Sequence, residues 1–412
     1  MKDTRVQEAC TYEGRYLVWT GLMLFLLKLG ARRQLNFELD SPVALENLNR
    51  LSRCHHEKGA HHDTLNHFLG HVHPGEFAKL RHLMVDRLIR MKLLESARLL
   101  GYYLVIFDAS EQLRFEQRHC EHCLTQEVHG QIQYYHPVLE GKLVTPEGLV
   151  FSIGTEFIEN VDPGATTQDC ETKAFERLAR RLKKDFPQLN LCLCLDALYA
   201  HGTVLDLCER YRWKYIIVFK EGSLPAVWQD YQALLPLCPE NRKTHSPSPT
   251  CRQTFAWVDN LEYVDDQKRR HRFNAFQCRE REGDEEGFFA WITNFSIRAD
   301  LVATLANRGG RCRWKIENEG FNTQKNGGFN LEHAYSIGDY QIKDFYILLQ
   351  IAHMILQLME RGSLLRQDCK KLFGSLRNLA RRLAESLRHV LIAADALDPA
   401  AAASIQIRLN TS

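Results

Sequence analysis

Three things are scarce in this sequence: net charge, long apolar runs and internal repetition. Its 53 Lys and Arg nearly balance 51 Asp and Glu, leaving a formal charge of +2. Any polyanionic partner must therefore be met by local basic patches, because no overall field would draw it in. The apolar run 16–30 carries Lys28 and is too short to span a bilayer comfortably. It follows a mixed-charge start, Lys2-Asp3-Thr4-Arg5, with no small-residue cleavage site, and reads as a buried helix rather than a signal peptide. No long repeat occurs, and the alanine run Ala400 to Ala403 is the one low-complexity stretch. A disulfide framework is also missing. The 13 cysteines are odd in number, scattered, and partly set inside apolar runs such as 191–195, which argues for reduced thiols in a cytosol.

What is present is an ordinary globular composition, 45% hydrophobic and 25% charged, over 412 residues, enough for two to four structural units. Residues 1–95 read as helical. A helix over 16–29 closes at Gly30, and Ser41-Pro42 opens another as N-cap and first turn. Asp63-Thr64 leads a third, and 77–94 forms a fourth with Leu80, Leu83, Met84, Leu88 and Leu94 on one side. Arg32, Arg33, Arg50 and Arg53 lie at helix ends or on polar faces. Cys54, His55, His56, His61, His62, His67, His71 and His73 make a His-rich tract whose spacing fits no zinc template.

Two short apolar runs follow, each closed by an acid. Residues 102–107 end in Asp108, and 191–195 end in Asp196; both read as buried strands of a central sheet. Acids at strand ends sit on the rim where open α/β sheets bind ligands. Between them, 131–139, 142–144 and 149–153 read as a meander turning at Glu140-Gly141 and at Pro146-Glu147-Gly148. An amphipathic helix over 173–186 leads to the second acid. Cys120-x2-Cys123, within His119-Cys120-Glu121-His122-Cys123, is half of a zinc motif without a clean second pair. A third acid, Glu317, lies in 311–325, read as one helix. There Trp314, Glu317 and Phe321 share a face, and Arg313 pairs with Glu317 at i, i+4. Glu319 points away from that face, toward solvent. Two aspartates and a glutamate form an oxygen-only set suited to Mg²⁺ or Mn²⁺.

In this order and these contexts, Asp108, Asp196 and Glu317 resemble the DDE triad of bacterial insertion-sequence transposases with a ribonuclease-H-like core. The subgroup it resembles carries Tyr-x2-Arg-x3-Glu-x6-Lys around its glutamate. Arg313 and Glu317 fit that pattern, whereas Gly310 stands at the Tyr position and Gln324 at the Lys position, with Lys325 next. The resemblance implies an α/β fold: a ribonuclease-H-like catalytic core interrupted by a β-rich insertion and flanked by N- and C-terminal helical regions. The units would be a helical DNA-binding domain (1–95), the core in two parts (96–220 and 286–345), the insertion (221–285) and a C-terminal helical region (346–412).

The prolines Pro236, Pro239, Pro247 and Pro249 break the first half of the insertion, and 255–258, 261–264 and 272–278 read as its short strands. Its basic run includes Arg269 and Arg270, read as DNA-facing. Residues 288–293 return as a core strand whose Trp291 aligns with an aromatic that stacks on a flipped base in relatives. Arg313 and Lys325 would hold phosphates. The C-terminal part reads as an apolar helix over 340–359 and a basic one over 368–391.

The implied activity is two-metal cutting of double-stranded DNA at a mobile element's terminal inverted repeats and joining to target DNA, by at least a homodimer on paired ends in the bacterial cytoplasm, at the nucleoid. A metal-dependent nuclease without strand transfer, and a transposase-derived DNA-binding protein without catalysis, stay open as alternatives.

Overall fold

A computed structural model describes the chain except residues 119, 162–166, 364, 366–368, 398–405 and 410–412. His119, Asp368 and the alanine run at Ala400 to Ala403 therefore lie outside the described residues. The N-terminal part is helical: α1 (Gly14–Leu26), α2 (Pro42–Ser52), α3 (His62–Leu69) and α4 (Pro74–Arg90). Ser41 caps α2, its hydroxyl accepting from the Ala44 amide at 3.1 Å, with Pro42 at the first turn. The core-facing side of α4 is not the leucine stripe read from the sequence. Phe77, Arg81, Val85 and Leu88 are buried, while Leu83 is exposed.

The chain then enters the sheet: β1 (Tyr103–Phe115), β2 (Leu124–Val128), β3 (Gln131–Val144) and β4 (Val150–Phe157). Next come α5 (Glu171–Asp185), β5 (Leu191–Leu195), α6 (Gly202–Tyr211), β6 (Lys214–Val218) and α7 (Pro225–Leu234). The strands β7 (Arg242–Ser248), β8 (Cys251–Val264), β9 (Arg270–Glu282) and β10 (Glu285–Thr293) complete it. A broken helix spans 302–326, and α8 (Asp339–Arg361) and α9 (Leu376–His389) close the chain.

All ten strands belong to one mixed sheet, ordered β2-β3-β1-β5-β6-β10-β9-β8-β7, with β4 on the other half of β3. The pairs β1–β5 and β5–β6 are parallel, and every other pair is antiparallel. The turn expected at Glu140-Gly141 does not exist; β3 runs straight through it with a bulge next to Gly141. Gly141 is there for packing, since a Cβ would stand 3.2 Å from the Phe107 ring. Glu140 is fully buried, accepts from the Thr155 hydroxyl and lies 4.0 Å from the Arg81 guanidinium. Arg81 in turn donates to Ser152 Oγ (3.1 Å) and to Thr155. A buried charge demands such partners. The turn at Gly148 is real, with φ at +90°, the left-handed region that glycine enters freely.

The stretch read as proline-broken contains α7 and β7, with Pro247 tolerated because β7 is the sheet's edge. The short strands expected after it are two long ones that bulge between Val258 and Leu261. Among the described residues one helix, α8, is long and apolar enough to cross a membrane, yet most of its apolar window is buried inside the fold. It packs on α1, α4 and β4, and α9 packs on α2, where Asn47 Nδ2 donates to the Leu387 and Val390 carbonyls at 2.9 and 2.8 Å. The N- and C-terminal helices thus share one core with the sheet.

Candidate active site

The run read as ending at Asp108 is the first half of a longer strand, so this acid sits mid-strand on β1, opposite Glu140 of β3. In the parallel pair β1–β5, Tyr103 faces Leu191 and Ile106 faces Cys194. The same register carried two residues further sets Asp108 beside Asp196, just past the end of β5. Neighbouring strands lie about 4.8 Å apart, so the two aspartates stand side by side at the carboxyl rim of the parallel strands.

The broken helix supplies Glu317. It is not the single α-helix read from the sequence. A 3₁₀ turn (Gly310–Arg313) runs into a π-helical stretch (Ile316–Asn322) and then one α-turn (Thr323–Asn326). The π stretch packs on β1 and β4, and the 3₁₀ turn on β5 and β6. Such π turns are rare and concentrate at functional sites. The expected i, i+4 pair survives: Arg313 Nη1 donates to Glu317 Oε1 at 2.9 Å. The shared apolar face does not, for Phe321 is buried while Trp314 is 53% exposed. Glu319 is no closer to solvent than Glu317. It pairs with Lys315 at 3.3 Å and abuts the Gly148 turn, away from the aspartates.

Electrostatics couple Asp108 to Glu317, and Asp196 to a further carboxylate. Burial, then the charges of Glu317 and Glu171, push the Asp108 carboxyl up to about 7, against the pull of Arg313. Glu171, at the first turn of α5, is a fourth carboxylate that the sequence reading left out. Burial raises its pKa, the Tyr199 hydroxyl donates to it at 2.6 Å, and the Asp196 charge raises it further. Burial and the Glu171 charge in turn hold the Tyr199 hydroxyl well above its ordinary value. The one signal for Glu171 was its place as an acid at a helix start, next to Asp169.

The oxygens of Asp108, Asp196 and Glu317 do not all lie within 4.8 Å of one another, so they form no tight three-ligand cage among the described residues. Two cations about 3.5–4 Å apart need a wider set. The donors are hard oxygens, and the charges of Glu317 and Glu171, which add to burial in raising the Asp108 carboxyl, are what a divalent cation would balance. The residues therefore fit Mg²⁺ or Mn²⁺.

Beside Asp196 opens a cleft of ≈ 490 Å³ lined by Lys220, Trp228, Phe288, Arg311 and Trp314. The Arg313 guanidinium stacks over Trp314 at 4.6 Å, and the Arg279 guanidinium over Phe288 at 5.5 Å. Trp291 does not serve as the stacking platform expected of it. It is 2% exposed and sandwiched with Phe276 and Phe289 at 5.0 and 6.0 Å, so its ring is part of the core beneath the cleft. Its bulk also explains Gly310 at the signature's Tyr position, since a Cβ there would collide with the Trp291 indole.

The other cations expected to meet DNA divide. Arg269 is tied to Asp265 at 2.7 Å and Asp206 at 3.4 Å, bracing the β8–β9 turn against α6, whereas Arg270 is exposed. Lys325 pairs with Glu332 at 2.7 Å. Gln324, at the signature's Lys position, is fully buried and bonded to Gln350 and His353 at 2.8 and 2.9 Å. In the His-rich tract, His61 and His62 cluster with Asp63, and Glu13 with Cys54 and His56.

Comparison with protein-family models gives no match, and comparison with curated proteins gives none of significance.

Proposed function

We propose that the protein is a DDE transposase, which cuts DNA at the ends of a mobile element and joins them to target DNA. What carries this reading is the parallel β1–β5 register, which, continued past its last pair Ile106–Cys194, brings Asp108 level with Asp196, with the Glu317 charge bearing on Asp108. The topology supports it further. The order β4-β3-β1-β5-β6, with β3 and β4 antiparallel and β1, β5 and β6 parallel, is compatible with the ribonuclease-H-like core that this reading expects.

Asp108, Asp196 and Glu317 would hold the metal, with Glu171 close enough to contribute charge. Bound there, two Mg²⁺ or Mn²⁺ ions supply water activation and stabilisation of the leaving oxygen. The chain's own residues do the rest. Arg313 fixes the orientation of Glu317, because a guanidinium holds a carboxylate more rigidly than an ammonium does. Lys220 offers a cationic group to a strand in the cleft, whereas Arg311, which also lines it, is paired with Glu280. Trp314 and Phe288 offer exposed ring faces to unstacked bases.

The test is incubation of the full chain with DNA bearing the element's end repeats and Mg²⁺. Joined products are the expected result. Cuts without joining would make it a nuclease, and binding without either a DNA-binding protein lacking catalysis.

A further inference from the structure

The sequence offered Cys120-x2-Cys123 as half a zinc motif, and the fold supplies what it lacked. Both cysteines lie in the loop between β1 and β2, and His136 comes up from β3, where it faces Leu113 of β1. The three donor atoms form a near-equilateral triangle. Cys120 Sγ and Cys123 Sγ are 3.4 Å apart, and His136 Nε2 lies 3.4 Å from the first and 3.3 Å from the second. With Zn–S near 2.3 Å and Zn–N near 2.0–2.1 Å, a tetrahedral ion requires ligand atoms about 3.5–3.8 Å apart. The triangle needs only a few tenths of an ångström of expansion.

We infer that this chain carries a structural Zn²⁺ ion held by Cys120, Cys123 and His136. Two thiolates and an imidazole select a soft or borderline cation and reject Mg²⁺. Cys123 and His136 are buried, so water cannot easily compete for the ligands. Asn160 grips the loop from outside, with Nδ2 on the Cys123 carbonyl at 3.2 Å and its backbone carbonyl on His122 Nδ1 at 3.1 Å. Such outer contacts orient metal ligands. Three protein donors leave one position of the tetrahedron to solvent. A disulfide would require the two sulfurs but not the imidazole that stands equally close to both. The ion would staple the β1–β2 loop to β3, fixing the far end of the strand that carries Asp108.

The full chain, purified in reductant with excess Mg²⁺, should hold about one zinc per chain by elemental analysis. Cys123→Ser and His136→Gln should each reduce this at least tenfold, while Cys238→Ser should not. Because these variants could misfold, the wild-type chain is also reconstituted with Co²⁺, where thiolate-to-cobalt charge-transfer absorption should appear. Absence of both bound zinc and that absorption would overturn the inference. So would a Cys120–Cys123 disulfide in the isolated chain, or loss of zinc from Cys238→Ser. None of these readouts depends on DNA cleavage, so the zinc site and the transposase reading fail separately.

Discussion

Asp108→Asn should make the metal-free protein more stable while destroying its activity. The folded carboxyl titrates at about 7 against an ordinary 3.8, because of burial and the charges of Glu317 and Glu171. The folded state therefore binds more proton than the unfolded state between those values, and stability falls as pH rises through that window, then levels off. A displacement of about 3 units corresponds to a ceiling of roughly 4 kcal/mol above pH 7, at 1.36 kcal/mol per unit. Relaxation and water entry reduce this, so a gain of about 1–3 kcal/mol is expected for the uncharged amide at pH 8 in EDTA. At pH 5 the folded acid is protonated but the unfolded one is largely ionised, so the gain should fall to less than half its pH 8 size and vanish only below about pH 3.8. Thermal melting of both proteins at the two pH values, with and without Mg²⁺, measures this. Mg²⁺ should stabilise the wild type most at pH 8 and the variant hardly at all. A variant that melts at or below the wild type at pH 8, or whose gain is the same at pH 5, refutes the reasoning.

Glu317→Gln should abolish Mg²⁺-dependent cleavage of end-repeat DNA, while Glu319→Gln, which alters only the Lys315 pair beside the Gly148 turn, should retain most of it; the reverse pattern would place the wrong glutamate at the metals. Trp314→Ala should leave melting unchanged but weaken single-strand binding by about 1–3 kcal/mol, read by fluorescence anisotropy. Trp291→Ala should instead cost about 3–5 kcal/mol of stability by leaving a core cavity. Arg81→Met should destabilise the fold by about 3–5 kcal/mol in denaturant titration, since it strands the buried Glu140. Asp265, whose burial is outweighed by His271 and Arg269, is held below the usual carboxylate range; it stabilises the fold above pH 4 and loses that effect as pH falls, so Asp265→Asn should flatten the acid limb of the melting profile.

The two aspartates were legible because each closes an uninterrupted apolar run, the pattern of a strand buried on both faces. The extent of β1 beyond Asp108 was not, since its second half is only partly buried and mixes polar residues. Gly141 misled because glycine signals a turn locally, whereas here it makes room for Phe107. The π turns around Glu317 leave no periodic signature, since a widened turn is set by what the helix packs against. For the same reason the residue pattern set Trp314 on one apolar face with Phe321, although only Phe321 is buried. Arg269 and Lys325 were read as free cations because their partners, Asp206 and Glu332, are brought to them by tertiary structure or a loop. His136 follows Cys123 with twelve residues between, a zinc-like spacing, but no second histidine three to five residues further on completed the motif.

The antiparallel pairing of β10 with β6 has a mechanical consequence. It joins the β7–β10 arm to the acid-bearing sheet through one continuous ladder, in which Trp291 pairs with Val218 and Thr293 with Ile216. Under the proposed function, DNA held on that arm would be registered to the carboxylates through strand hydrogen bonds, like work clamped to the same bed as its tool.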